Sequence, residues 1–200
     1  ETGTGKELFA QAIHKNSPRH LDPFVVVNCA ALPENLLESE LFGHERGSFT
    51  GAVSQKTGKF EMANGGTLFL EEIGDMDLNT QTKVLRAIQE GEFERVGGVK
   101  TIKVNVRVVS ATHRDLEKMI SEGAFREDLF YRLNVVPVRV PSLSERVEDV
   151  PVLAIHFLEG YCRENGLPQK KFTEDALSVL TGQKYRGNIR ELRNVVERAL

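Results

Sequence analysis

Four short apolar runs, at residues 24–28, 67–70, 106–112 and 135–140, alternate with helix-period segments across the first two thirds of the chain. Apolar strands need a covering layer, and alternation with helices supplies one, so the pattern selects an α/β architecture with a mostly parallel sheet. The helical segments fall at 8–14, 34–42, 80–90 and 114–122, and 125–134 is a further amphipathic, helix-prone stretch. Residues 92–104, with Gly97-Gly98 at their centre, read as two short strands joined by a turn. Pro137, Pro141 and Pro151 punctuate a change of pattern, with Pro141-Ser142-Leu143 as the expected hinge. Beyond it, 150–164, 173–183 and 188–200 read as amphipathic helices. The expected organisation is an α/β unit over 1–141, truncated at its amino end, and a helical lid over 142–200, truncated at its carboxyl end.

The 200 residues suffice for one substantial core, or for one core plus a small satellite. Basic and acidic residues nearly balance, 26 against 29, and a net charge of -3 gives no electrostatic case for wrapping DNA. Cys29 and Cys162 lie far apart, without CxxC spacing or a clustered His, which argues against a zinc site or a disulfide framework. Reduced cytoplasm is the expected compartment. No apolar run approaches the roughly 18 residues of a membrane span, so no membrane partner is expected.

The chain opens on Glu1-Thr2-Gly3-Thr4-Gly5-Lys6-Glu7, the back half of a phosphate-binding loop, and runs directly into a helical stretch. A Gly-rich turn brings backbone N–H groups to phosphate oxygens, a helix N-terminus adds its positive end, and Lys6 supplies a full charge. Gly3, Thr4, Gly5, Lys6 and Glu7 are therefore candidate nucleotide-binding residues, although Gly-Thr-Gly-Lys before a helix can also be an ordinary loop. The leading Gly of the motif would precede residue 1, and Glu7 stands where a Ser or Thr usually supplies a hydroxyl to Mg²⁺. A chain that starts inside its motif is expected to be cut from something longer and to bind nucleotide weakly.

A second motif, Gly65-Gly66-Thr67-Leu68-Phe69-Leu70-Glu71-Glu72, is an apolar strand ending in two carboxylates. Two Glu after a strand are commonly solvated caps. Downstream of a phosphate loop, however, strand-end acids hold Mg²⁺ and polarise the attacking water. Glu71 and Glu72 are the candidate metal-side residues, with Glu72 the candidate for activating water. The usual first acid is Asp, and Glu71 is one methylene longer.

Gly47-Ser48-Phe49-Thr50-Gly51-Ala52, preceded by Glu40-Leu41-Phe42-Gly43-His44-Glu45, resembles the signature loop of bacterial sigma-54-dependent transcriptional activators, an AAA+ ATPase family. The family's usual hexapeptide has Ala in place of Ser48. The resemblance continues through Asn28-Cys29-Ala30-Ala31-Leu32, Arg95-Val96-Gly97-Gly98, residues 125–134 and residues 187–194. It implies an AAA+ P-loop NTPase core with a helical lid, ATP and Mg²⁺ as cofactors, and sigma-54 as partner. It also implies that the chain hydrolyses ATP to remodel the closed promoter complex of sigma-54 RNA polymerase. A lone loop Phe ordinarily tucks in, whereas the resemblance presents Phe49 and Thr50 at a mobile tip for sigma-54. The turn at 96–99 resembles the family's second mobile loop.

The same resemblance makes Arg126 and Arg132 candidate arginine fingers acting across a subunit boundary, and so implies a ring, a hexamer as in the family. Solvated surface charges are their alternative reading. Thr112 and His113 follow the apolar strand at 106–110 and are candidate sensors of the γ-phosphate, although a lone His can equally be a satisfied surface residue. Asn28 is expected to hold Glu72 away from water until the partner binds. Asn188 is expected to cap the last helix and Arg190 to reach the nucleotide. Tyr185-Arg186 stand where the family has Trp-Pro. The family carries a sensory domain upstream, linking it to two-component regulation, and a DNA-binding helix-turn-helix downstream; neither fits within these residues. Another AAA+ machine, such as an unfoldase or helicase loader, and a catalytically silent binding module are the competing readings.

Overall fold

In the computed structural model, which describes residues 1–199, the chain divides into two units: Glu7–Pro137, and Glu1–Lys6 together with Val138–Leu200. Where the sequence suggested a boundary at 141/142, the contacts divide the chain at Pro137, and the opening six residues group with the second unit.

In the first unit, helix α1 (Lys6–Lys15) buries Ala10 and His14. The His14 Nδ1 lies 3.0 Å from the Thr67 hydroxyl oxygen, which joins the end of α1 to the start of a central strand. Strand β1 (Phe24–Asn28) follows, then α2 (Glu34–Phe42), whose buried face carries Leu37, Leu41 and Phe42. A two-residue strand β2 (Gly43–His44) pairs antiparallel with β3 (Lys56–Thr57), and the short α3 (Lys59–Met62) stacks Phe60 on Phe42 at 5.4 Å between ring centroids. Strand β4 (Thr67–Glu71) is buried along Thr67–Leu70, as an apolar run covered on both faces requires.

Helix α4 (Leu78–Glu90) starts two residues before the expected position because Asp77 caps it, accepting from Asn79 N at 2.9 Å and Thr80 N at 3.0 Å. Strands β5 (Glu92–Glu94) and β6 (Thr101–Lys103) form the expected antiparallel pair. Strand β7 (Arg107–Ala111) completes a three-stranded parallel sheet of order β1-β4-β7. Helix α5 (Leu116–Ser121) is shorter than the 114–122 pattern suggests, because Asp115 is its N-cap and accepts from Lys118 N at 3.0 Å. Helix α6 (Glu127–Leu133) buries Leu129.

The run at 135–140, expected to be a strand, is not one: it has no ladder partner, and Val135 and Val136 are 73% and 78% exposed. Pro137 removes a donor in its middle, which is what excludes such a run from a sheet interior.

The second unit is built on α7 (Val150–Glu164), α8 (Glu174–Thr181) and α9 (Asn188–Arg198). Leu143, Val150, Ala154, Leu158, Cys162, Leu180, Tyr185, Leu192 and Val196 form its core. Thr173 caps α8 by accepting from Ala176 N at 3.2 Å. Tyr185, at the position of the family's Trp, fills that core and donates its hydroxyl to Leu180 O at 2.7 Å. The last residue of the expected final helix, Leu200, lies outside the described residues. Among those described, no helix is long and apolar enough to cross a membrane.

Burial alone would push the Asp77 carboxyl upward, but hydrogen bonds from Thr80 and Asn79 hold it below the usual carboxylate value. A depressed folded value contributes stability above the unfolded value, and that contribution is lost as pH falls through the folded one. Asp77→Ala should therefore cost about 1 kcal/mol at neutral pH, and chemical denaturation at a series of pH values should show the gap narrowing below about pH 4.

Candidate functional site

Parallel pairing in register sets Asn28 opposite Glu71, and Glu71 opposite Ala111, so three strands end flush. The residues that follow, Glu72 on one strand and Thr112 and His113 on another, emerge at that same carboxyl edge, where open parallel sheets bind ligands. Glu72 is buried and adopts a left-handed backbone conformation, φ 55° and ψ 51°, that non-glycine residues rarely take. Its Oε2 accepts from the His113 backbone N at 3.0 Å and lies 2.6 Å from His113 Nδ1.

Asn28 is placed differently from the expectation. Its Nδ2 donates to Glu71 Oε2 at 3.0 Å, not to Glu72, while its Oδ1 accepts from Ala30 N at 3.0 Å. The in-register pairing explains this, since Asn28 stands directly across from Glu71. His113 binds the Glu72 carboxylate through both its backbone N and its ring, a contact that residue order alone does not show. The Thr112 hydroxyl oxygen accepts from Arg114 N at 3.0 Å, and Arg114 pairs with Asp75. Beneath this edge, burial first, then the carboxylates of Asp75, Glu71 and Glu72, push the buried Cys29 thiol up to about 12. Cys29 is thus an unreactive thiol.

In the other unit, Gly3 and Gly5 take positive φ values of 77° and 96°, Thr4 is buried, and Lys6 opens α1. Glu7 is exposed, with its Oε1 accepting from Gln11 at 3.3 Å. Arg190 is exposed on α9, its Cβ 3.3 Å from where a side chain at Gly3 would begin. Asn188 does not cap α9 with its side chain: Gly187 holds the cap position, and Asn188 is fully buried with φ 54°. Its Oδ1 accepts from Leu143 N at 2.7 Å instead.

Residues 45–55 form the loop between β2 and β3. Gly47 and Gly51 adopt φ 81° and 104°, and Gly47 N donates to Ala52 O at 2.9 Å, closing the hexapeptide on itself. Phe49 is 39% exposed and meets the His44 ring edge-on at 5.0 Å, so it is neither buried nor fully presented; Thr50 is exposed. The second loop, 96–99, lies against the first. Val96 N donates to Gly43 O and Glu45 N to Val96 O, each at 3.0 Å. A Cβ on Gly97 would stand 2.5 Å from Ser48 Cβ, a separation no side chain tolerates. Arg95 fastens the pair, donating to both Glu61 oxygens at 2.9 and 2.8 Å and to Glu45 at 3.0 Å. Glu61 and then Glu45 hold its guanidinium above the ordinary arginine value, against an opposing effect of burial.

Arg126 is the N-cap of α6 and Arg132 lies in its last turn. Arg126 forms a two-pronged pair with Asp128 at 3.0 and 2.7 Å and reaches Thr82 at 3.2 Å. Arg132 is exposed and makes one longer bond, 3.3 Å to Ile88 O.

A parallel sheet with strand-end carboxylates, a glycine-rich turn opening a helix and a separate helical unit defines the α/β AAA+ class of protein with its lid. Residues 1–139 match the sigma-54 interaction domain, and residues 144–200 match the AAA+ ATPase lid domain. The chain belongs to the sigma-54 interaction domain family. It is 58% identical over 200 residues to the regulatory protein AtoC of Escherichia coli (strain K12), covering 100% of this chain and 43% of that protein. It is also 58% identical over 199 residues to a Nif-specific regulatory protein of Azotobacter vinelandii, covering 100% of this chain and 38% of that one. A crystal structure of NtrX from Brucella abortus in complex with ATP superposes with a TM-score of 0.90 at 48% identity, covering 98% of this chain and 42% of that one. The chain thus spans about two fifths of the length of the curated relatives it matches.

Ser48 Oγ is buried without a hydrogen-bond partner. A lone buried hydroxyl is unfavourable, so Ser48→Ala should raise stability by up to about 1 kcal/mol, whereas Gly97→Ala should lower it; thermal unfolding checks both.

Proposed function

We propose that this chain hydrolyses ATP and uses the cycle to drive the 47–52 loop against sigma-54, remodelling the closed promoter complex of its RNA polymerase. The observation that carries the reading is the flush carboxyl edge, where Glu72 is locked in a strained backbone conformation with its carboxylate oriented by His113. Membership of the sigma-54 interaction domain family supports the choice of partner.

The phosphate loop fits an anionic nucleotide. Gly3 and Gly5 take the positive φ that lets successive amides converge on phosphate, and α1 begins at Lys6. The carboxylate donors are of a kind that suits Mg²⁺. Hard carboxylate oxygens stand at the sheet edge. Mg²⁺ suits this pattern because phosphates and water complete its shell, and when bound it would neutralise charge on the phosphoryl oxygens. Glu71 would hold it, with Asn28 fixing the carboxylate.

Lys6 and the loop amides bind the triphosphate in this reading. Glu72 accepts a proton from the attacking water, and His113 keeps its carboxylate aimed; Thr112 and Arg190 respond to the phosphates. Arg132 is the better candidate finger for a neighbour's ATP, because redirecting it breaks one long hydrogen bond, whereas Arg126 must leave a two-pronged carboxylate pair. A ring, a hexamer as the family resemblance implies, follows from a finger acting in trans. Any DNA contact would come from a domain outside this chain. Arg95 passes motion between the two loops, since it grips Glu45 at the base of one from the start of the other.

Steady-state hydrolysis and ATP titration on the full-length protein test the catalytic half. Glu72→Gln should lower kcat by about 100-fold or more while retaining ATP affinity, and His113→Ala should lower kcat by about 10-fold. Hydrolysis by Glu72→Gln at the parent rate would refute Glu72 as the group that activates water, and no hydrolysis by the parent protein would leave only a binding module.

The loop half is tested by sigma-54 capture with a trapped transition-state analogue. Phe49→Ala should hydrolyse ATP yet lose capture, and Arg95→Ala should lose most of it. Capture of sigma-54 undiminished by Phe49→Ala would refute the loop assignment, and no capture by the parent protein would favour another AAA+ activity.

A further inference from the structure

Three successive carbonyls of the opening loop are occupied by donors from the far end of the chain, all within one unit. Asn188 Nδ2 donates to Thr2 O at 3.1 Å, Ile189 N to Gly3 O at 3.0 Å, and Arg146 Nη2 to Thr4 O at 2.8 Å. Asn188 Nδ2 also donates to Glu1 Oε2 at 2.9 Å. In a trans peptide the C=O and the following N–H point in opposite directions. Holding the carbonyls of Thr2, Gly3 and Thr4 therefore turns the amides of Gly3, Thr4 and Gly5 away from these donors, into the arrangement that cradles phosphate.

We propose that Asn188 and Arg146 are positioning residues for the phosphate loop, setting its backbone before nucleotide arrives; this rests on the nucleotide reading above. Neither needs to touch the ligand. The Asn188 amide is spent on both sides within the protein, on Leu143 N through its oxygen and on Glu1 and Thr2 through its nitrogen. The residue is 0% exposed. Its φ of 54° is one that Asn tolerates better than other side chains, and it lets the amide face the loop while α9 begins. The packing leaves no slack, since a Cβ on Gly3 would stand 2.3 Å from Gly187 O. Arg146 contributes a charged donor to a neutral carbonyl, and its Nη1 lies 3.9 Å from Asp149. Arg190, by contrast, is exposed, as its proposed role toward the phosphates requires.

The test uses the full-length protein with MgATPγS titrated calorimetrically, plus hydrogen–deuterium exchange of the peptide spanning residues 1–8 without nucleotide. Arg146→Gln and Asn188→Ala should each speed exchange of the loop amides and weaken ATPγS by about 10-fold or more, in samples that circular dichroism shows to be folded. Asn188→Gly keeps the backbone conformation and removes the amide, and should behave like Asn188→Ala; parent affinity in Asn188→Gly would overturn the amide's role. Should the Asn188 variants fail to fold, Arg146→Gln decides: loop exchange unchanged and affinity within about 2-fold of the parent overturns the inference. Lys6→Ala separates the two readings. It should lose ATPγS with loop exchange at the parent rate, whereas parent affinity in Lys6→Ala would refute the nucleotide site itself.

Discussion

The in-register parallel pairing of β1, β4 and β7 is the constraint on which the rest of the candidate site depends. Leu68, Phe69 and Leu70 are almost wholly buried, so β4 has no freedom to slip without carrying apolar side chains out of the core. Burial therefore fixes where the strand ends, and the first residues past its apolar run are the half-buried Glu71 and the buried Glu72. The neighbouring strands end level with it, which brings an amide from Asn28 to one acid and an imidazole from His113 to the other. Two adjacent carboxylates of the same residue type thus receive different partners. Their division of labour in the proposed reaction follows from position, not from chemistry intrinsic to Glu.

Backbone strain is concentrated where the chemistry is proposed. Glu72 and Asn188 are the non-glycine residues with positive φ among those described, one in each unit. Each conformation costs on the order of 1 kcal/mol and persists because packing and hydrogen bonds over-determine it. Glu72 is held by His113 and by the turn that follows β4, and Asn188 by Leu143 and the opening loop. In both places the local geometry aims a group that a relaxed backbone would leave pointing elsewhere.

The two exposed loops are joined by a charged knot and by a steric one. Arg95 ties Glu61 of the small helix to Glu45 at the loop base, while Gly97 admits Ser48 at a distance only glycine permits. Neither loop can shift independently of the other without breaking one of these contacts. The unpaired hydroxyl of Ser48 adds nothing to the junction, and the family's usual Ala would occupy the same space.

Much of this protein was legible in its residues. Apolar runs bounded by turn residues located β1, β4 and β7; helical periodicity located α2 and α7 to the residue; Gly97-Gly98 located the paired short strands. These features are local, set by side-chain period and by φ preference, and a chain carries them wherever it goes. The run at 135–140 misled because strand character depends on a pairing partner, and that is not a property of the segment. The same holds for the site. Sequence order supplied the strand-end acids, the sensor segment and the lid motif. Only tertiary structure decided that Asn28 attends Glu71 and His113 attends Glu72, and that Asn188 reaches across to the opening loop instead of capping its helix. Those assignments turn on which side chains lie within about 3 Å of one another after register and packing are settled, and distances of that size between remote positions are fixed by the fold as a whole.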